Sequence, residues 1–317
     1  MGGRARTVES RRLGRVILFV LRAVAWIYYY QPQSVKKFKA RGLGAILHAI
    51  GIRKKVVIEN LRLAFPKDHR IQSRLTRESY DHLAHLILEI LLLLGPMRAY
   101  VKRYCELQGV DHWREAKLRG KGVIFLASHV GNWEVMAATG VIQGGIDLML
   151  VTKHLKPEWL HQAIEAGRAR CGVTATYEPR TMKDILSTLK RNGTVGIVLD
   201  QYAGPPIGVR VPVFGVPVGT STAIAALARR TGATILPVVN YRAADGQWKV
   251  VIRPPLKWIE SASDPAYELA VNTAAYSAEL ERDILDHPEQ WLWIHRRFKG
   301  DLSPLRDGEW HQGRARS

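Results

Sequence analysis

Acidic residues are scarce in this chain. Only 28 aspartates and glutamates stand against 47 lysines and arginines, which leaves a net charge of +19 on 317 residues. The deficit is sharpest at the start: positions 1–60 hold 13 basic and 2 acidic residues, a surplus of 11. Such asymmetry calls for a polyanionic partner, either nucleic acid or an anionic membrane surface. Zinc-finger spacing and RNA-binding signatures are both missing. The aromatics near the basic N-terminus form a block, Tyr28-Tyr29-Tyr30, and not the interleaved platform on which bases stack. The reading is therefore anionic membrane and no nucleic acid.

Cysteine is nearly absent. Cys105 and Cys171 cannot make a disulfide framework, which points to a reducing compartment, and neither lies in a metal-ligand spacing. A long hydrophobic run is missing as well. Val16 to Tyr30 is fifteen residues interrupted by Arg22. As a helix it would reach roughly 22 Å, short of the roughly 30 Å hydrocarbon core. Arg4, Arg11, Arg15 and Arg22 fall along one helical stripe, with Ile17, Leu18, Val20, Leu21, Val24 and Trp26 on the other faces. This describes a helix lying in the interface, with Tyr28 to Tyr30 in the aromatic belt. A tilted span is the alternative. A signal peptide fits less well, since no small-x-small cleavage site follows. Lys36, Lys37, Lys39 and Arg41 would then lie near the cytoplasmic surface. His85 to Leu94 is a second apolar helix, stopped by Gly95-Pro96. His82, His85 and Glu89 share one of its faces and read as a polar stripe, because spacing places no fourth metal ligand.

An apolar content of 47% with 24% charged residues is that of a folded chain able to bury an ample core. From Lys121 onward apolar runs alternate with helical patterns. The predicted strands are 123–127, 148–152, 195–199, 234–239 and 248–252. Helix-like segments fall near 132–143, 156–170, 181–191 and 220–231. Alternation of this kind argues an α/β fold, a central sheet flanked by helices, with an N-terminal membrane-associated helical segment. The expected division is a membrane-anchoring helix (1–30), a helical N-terminal region (31–118), an α/β catalytic domain (119–300) and a polar tail (301–317). The run Val211 to Pro217 is too rich in prolines for a central strand and reads as a loop.

The most informative stretch is Ser128-His129-Val130-Gly131-Asn132-Trp133-Glu134, after the apolar run 123–127. His129 and Glu134, separated by four residues, fall where a buried strand turns into a helix. On a continuous helix they would point about 140° apart. With His129 in the turn and Glu134 in the first helical turn, the carboxylate can reach back to the imidazole. That would give an oriented general base beside a helix N-terminus.

Residues from about 120 to 299 resemble the bacterial lipid A biosynthesis acyltransferase family. The motifs are His129/Glu134, Gly167-Arg168-Ala169-Arg170, Leu199-Asp200-Gln201-Tyr202-Ala203-Gly204-Pro205, Val211 to Gly215, and Pro288-Glu289-Gln290-Trp291 through His295-Arg296-Arg297-Phe298-Lys299. Arg53 through Asn60-Leu61 to Ala64-Phe65-Pro66 matches the family's N-terminal signature. The resemblance implies a membrane-associated O-acyltransferase at the cytoplasmic face of the inner membrane. It would pass a fatty acyl group from acyl carrier protein or acyl-coenzyme A to a hydroxyl of a glycolipid such as a lipid A precursor, with no metal and no cofactor.

In this chemistry neutral His129 takes the hydroxyl proton and Glu134 steadies the imidazole. Backbone N–H groups of Gly131 and Asn132 receive the oxyanion. Arg168 and Arg170 grip phosphate or headgroup charge, and Asp200 and Gln201 position substrate. Trp291 and Trp293 beside cations suit a membrane-facing edge. Two alternatives stand beside this reading: a non-catalytic peripheral lipid-binding protein, and acylation of a glycolipid of phosphatidylinositol mannoside type. A hydrolase lacks support, as no Gly-x-Ser-x-Gly elbow is present.

Overall fold

The computed structural model describes residues 2–261 and 264–304, the side chains of residues 2–13 and 15 excepted. Four helices come first: α1 (Gly2–Tyr30), α2 (Gln33–Ile50), α3 (Lys54–Ala64) and α4 (His69–Ile90), the last tightening into a 3₁₀ turn at Leu91–Leu94. Then follow α5 (Met97–Tyr104), β1 (Cys105–Gln108), α6 (Val110–Leu118), β2 (Val123–Ala127), α7 (Trp133–Gly144), β3 (Leu148–Val151), α8 (Glu158–Cys171), β4 (Thr174–Thr176), α9 (Thr181–Lys190) and β5 (Thr194–Val198). The chain continues through β6 (Gly208–Val213), β7 (Val216–Ser221), α10 (Ala223–Thr231), β8 (Thr234–Arg242), β9 (Trp248–Ile252) and α11 (Pro265–Asp286).

Seven strands form one sheet in the order β1-β9-β8-β2-β5-β3-β4, parallel throughout except where β9 runs against β8. The fold is α/β, as expected. β2 shows why helices cover both faces. All five of its residues are buried, and successive side chains point to opposite sides of a strand. Val123 and Phe125 enter a core with Val135, Leu148 and Val238, whereas Ile124 and Leu126 enter another with Ile185, Leu227 and Tyr276. A continuous apolar run is what a parallel strand packed on both faces requires. Strands 123–127 and 248–252 match their predicted bounds, and β3, β5 and β8 differ at the ends. β1, β4 and α11 were not predicted. The run 211–217 is a hairpin outside the main sheet, not a loop: Pro212 pairs with Pro217, and Phe214 and Gly215 turn it at φ 51° and 72°. Positive φ at both central residues gives a turn whose twist suits a two-stranded ribbon.

Among the described residues no helix is long and apolar enough to cross a membrane. Arg22, Val20, Val24, Trp26 and Tyr30 of α1 are exposed, while Tyr28, expected in an aromatic belt, is turned into the core. Arg4, Arg11 and Arg15 lie outside the described side chains. Lys36 is also buried and not at a surface. Its ammonium sits over the rings of Tyr28, Tyr100 and Tyr104 and donates to the Tyr29 carbonyl at 3.2 Å. Burial pulls its pKa down to about 8. α2 lies close against α4: a Cβ on Gly44 would come within 2.9 Å of the Asp81 backbone, so only glycine fits there.

Glu89, at the end of α4, is fully buried and ties this helical layer to the sheet. It is ion-paired with Arg242 of β8, accepts from the Tyr100 hydroxyl at 2.7 Å and from the Asn132 amide at 3.2 Å. Burial works to raise its carboxyl, and Arg242, with His85 and the Tyr100 hydroxyl, outweighs burial, holding it below its ordinary value. The expected polar stripe of His82, His85 and Glu89 is therefore packed inward, with Glu89 spent on this network. Glu89→Ala should cost about 3–5 kcal/mol, because it leaves a buried guanidinium unpaired. A urea-denaturation loss no larger than the roughly 1 kcal/mol of a surface pair would show that the network does not hold the two layers together.

Candidate active site

β2 and β5 are neighbours in register, with Ala127 opposite Val198. Two residues beyond that pair, on each strand, stand His129 and Asp200. Register alone therefore brings together, at the carboxyl edge of the sheet, two side chains 71 positions apart in the chain. Both residues are buried. The Asp200 Oδ1 lies 2.7 Å from the His129 Nδ1, and Oδ2 accepts from the His129 backbone N–H at 2.6 Å and from the Trp291 indole at 2.8 Å. An ionised carboxylate only accepts, so Nδ1 carries the proton and Nε2 is left free to accept one.

Burial works against both charges and is outweighed in both. The negative charge and hydrogen bond of Asp200 raise the His129 pKa above its ordinary value. His129 and the N–H donors hold the Asp200 carboxyl well below the usual carboxylate range.

The turn after His129 is built by Gly131 and Asn132. Gly131 has φ 68°, and a Cβ there would come 2.2 Å from the Asn240 carbonyl oxygen. Asn132 caps α7 by accepting from the N–H groups of Glu134 and Val135 at 3.1 and 3.2 Å. Its own carbonyl accepts from the Asn240 amide at 2.9 Å.

Several expected roles do not survive this geometry. Glu134 does not reach His129. It starts α7 facing α8, and a buried carboxylate needs a cation: Arg168 donates from Nε at 2.9 Å and pairs again through Nη2. Arg168 also binds Glu165 at 2.7 Å and is buried. It is thus held by two carboxylates inside the fold. Arg170, in contrast, is exposed and donates to the Leu93 carbonyl at 2.6 Å. The Gly131 N–H, expected to receive an oxyanion, donates to the Gln290 carbonyl at 2.9 Å. Asp200, expected beside substrate, is the partner of His129 instead. Gln201 accepts through its backbone oxygen from Arg297 at 3.0 Å. Trp291 and Trp293 are buried, not at a membrane edge. Cys171 is a buried thiol pushed up by burial.

A narrow apolar cavity of about 110 Å³ opens beside His129. It runs between α7 and the sheet, past Trp133, Met136 and Gly140 on the helix and Ala127, Leu150 and Gly196 on the strands. Gly140 is where wall volume is removed. A Cβ on Gly140 would meet only Ile146, at 3.5 Å. His295, from the segment after α11, stands on the other side of His129 with ring centroids 5.4 Å apart. Sequence reasoning did not assign it a place there, and no spacing signal could have, since the two are 166 positions apart.

A base with a free Nε2, oriented by a buried carboxylate and facing an apolar slot, is suited to acyl chemistry. The model of the family described as bacterial lipid A biosynthesis acyltransferase matches residues 5–300. The chain belongs to that family. It is an O-acyltransferase. Its relatives include a lipid A biosynthesis lauroyltransferase of Escherichia coli K12, 27% identical and aligned over 87% of this chain and 89% of the relative. A lipid A biosynthesis palmitoleoyltransferase of the same organism is 26% identical over the same shares. A phosphatidylinositol mannoside acyltransferase of Mycobacterium tuberculosis is 28% identical over 62% of this chain and 61% of the relative.

The Glu134–Arg168 pair gives a direct test. Glu134→Ala and Arg168→Ala should each lower stability by about 3–5 kcal/mol, since each strands a buried charge, and the double variant should recover part of the loss. Thermal melts of the four proteins measure this. Additive losses would mean that the two side chains do not act as a pair.

Proposed function

We propose that the acyltransferase moves a fatty acyl group from an acyl thioester to a hydroxyl of a glycolipid such as a lipid A precursor, with His129 as general base and Asp200 as the group that orients it. The observation that carries this reading is the His129–Asp200 pair at the mouth of the apolar cavity. The acyl chain lies in the slot between α7 and the sheet, which places the thioester carbon beside Nε2. Nε2 takes the hydroxyl proton as the oxygen bonds to that carbon. The carbon–sulfur bond then breaks, and the departing thiolate recovers the proton from the imidazolium, whose charge Asp200 has stabilised. Asn132 supplies the backbone N–H proposed for the oxyanion. Acyl carrier protein or acyl-coenzyme A is the proposed donor.

Membrane association at the cytoplasmic face of the inner membrane is part of the same proposal. Phe19 of α1 and Phe38 of α2 are 74% and 78% exposed, and Ile27, Tyr30, Ile46 and Ile50 are exposed on the same two helices. Apolar side chains left uncovered beside Arg22, Lys39 and Arg41 suit an anionic lipid surface.

His129→Ala should lower transfer by about 10² or more at unchanged fold; near-normal turnover would end the mechanism. Asp200→Asn tests the orienting role through pH. The base must be neutral, so wild-type activity rises as pH climbs through the raised His129 pKa. Without the Asp200 charge only burial acts, the His129 pKa falls, and the acid limb of kcat/KM should move to lower pH while the rate drops. An acid limb that stays in place would assign the limb to another group.

The cavity gives a separate expectation. Gly140→Leu should shift preference toward shorter acyl thioesters, because the added side chain projects into the slot. Competition among thioesters of graded length reads this, and an unchanged profile would place the acyl chain elsewhere.

A further inference from the structure

Arg168 and Arg297 are buried and engaged inside the fold: Arg168 pairs with Glu134 and Glu165, and Arg297 donates to the carbonyls of Gln201 and Gly219 and to the Thr220 hydroxyl. The chain's anion-binding capacity must therefore lie on other cations. Five of them converge on one groove of about 700 Å³, a size typical of ligand sites. Arg53, Lys54 and Lys55 at the start of α3 form one wall, and Arg296 and Lys299 form the other. No acidic side chain lines it among the described residues. The two walls come from opposite ends of the chain and are tied together. Arg53 donates to the Ile294 carbonyl at 3.1 Å, and the Asn60 amide donates to the carbonyls of Trp293 and His295 at 2.7 and 2.6 Å. The same segment carries His295, against the His129 ring, and Trp291, bonded to Asp200. The groove is thus fixed relative to the reacting pair.

Resting on the acyltransferase reading above, we propose that this groove seats the phosphate-bearing headgroup of the acceptor lipid and so aims its hydroxyl at His129. Convergent ammonium and guanidinium groups, with no competing carboxylate, are what phosphate oxygens recognise. An amphiphile fits better than a free polyanion, because the turn that lines the groove is flanked by Ile50, 69% exposed, and by exposed Ile52. The headgroup would lie among the cations while its apolar part stays against those side chains.

The test uses the full chain carrying Lys55→Gln, Arg296→Gln and Lys299→Gln together. Arg53 is left intact because it also braces the Ile294 segment. Turnover is measured with a phosphorylated glycolipid and with the same lipid after phosphatase treatment. The acceptor KM should rise about tenfold or more for the phosphorylated lipid, as lost charge-assisted contacts of this kind imply, with kcat and the donor KM little changed. For the dephosphorylated lipid, wild type and variant should agree. A rise in the donor KM instead would assign the groove to a phosphate of the donor, and unchanged constants throughout would show that it binds neither; either result overturns the proposal. Calorimetric binding of the phosphorylated lipid in detergent micelles to His129→Ala, with and without the three substitutions, reads the groove without turnover. Its failure is thereby separated from failure of the acyl-transfer mechanism.

Discussion

A carboxylate sealed from water must be compensated on every side, and Asp200 is compensated by three N–H groups from two places in the chain. Two belong to His129, at the end of the neighbouring strand, and one to Trp291, far along in the segment after α11. The arrangement works only if β2 and β5 keep their register, since a slip of one residue would turn each side chain to the other face of the sheet. It also works only if the Trp291 segment is pinned, which the Asn60 amide and the Gln290 contacts with Gly131 and Arg242 accomplish. The orientation of one imidazole thus depends on the sheet, on α3 and on the C-terminal segment together.

Charge in this protein falls into two populations. The buried pairs Glu89–Arg242 and Glu134–Arg168 join layers: the first ties α4 to β8, the second α7 to α8. Removing one partner of such a pair costs more than the pair itself contributes, because the remaining ion has lost its water. These pairs specify which surfaces meet. Other cations lie outside, among them Lys39 and Arg41 on α2, Lys55 on α3, and Arg296 and Lys299, where long side chains stay solvated and available to anions. Long-range attraction of anions draws on the second population and gains nothing from the first.

The glycines around the site divide the same way. Gly131 permits a backbone turn so close to Asn240 that any side chain would collide with a carbonyl oxygen. Gly140 instead leaves space, and with Gly196 it lines the apolar cavity beside His129.

Much of the scaffold was legible from hydrophobic period alone. The runs 123–127 and 248–252 read as strands and are strands, and the prolines of 211–217 kept that segment out of the central sheet, though not out of a hairpin. His129 was legible too, from its place between a buried strand and a helix start. Its partner was not. Glu134 is near in sequence and looked available, but a helix start sets its direction toward α8, where Arg168 meets it. Asp200 is 71 positions away, and only strand order and register place it against Nδ1. The same holds for the cations: Arg168 looked available on a helix but is buried against two carboxylates, while Arg53–Lys55 and Arg296–Lys299 become one groove only when distant segments are bonded together. Local sequence therefore determined many of the elements, the basic balance and the place of His129 after a buried strand, because propensity, burial period and charge act over a few residues. Which carboxylate faces His129, which arginines are paired inside the fold and where the apolar cavity opens were decided by tertiary structure, because those depend on which distant groups share a buried, low-dielectric space.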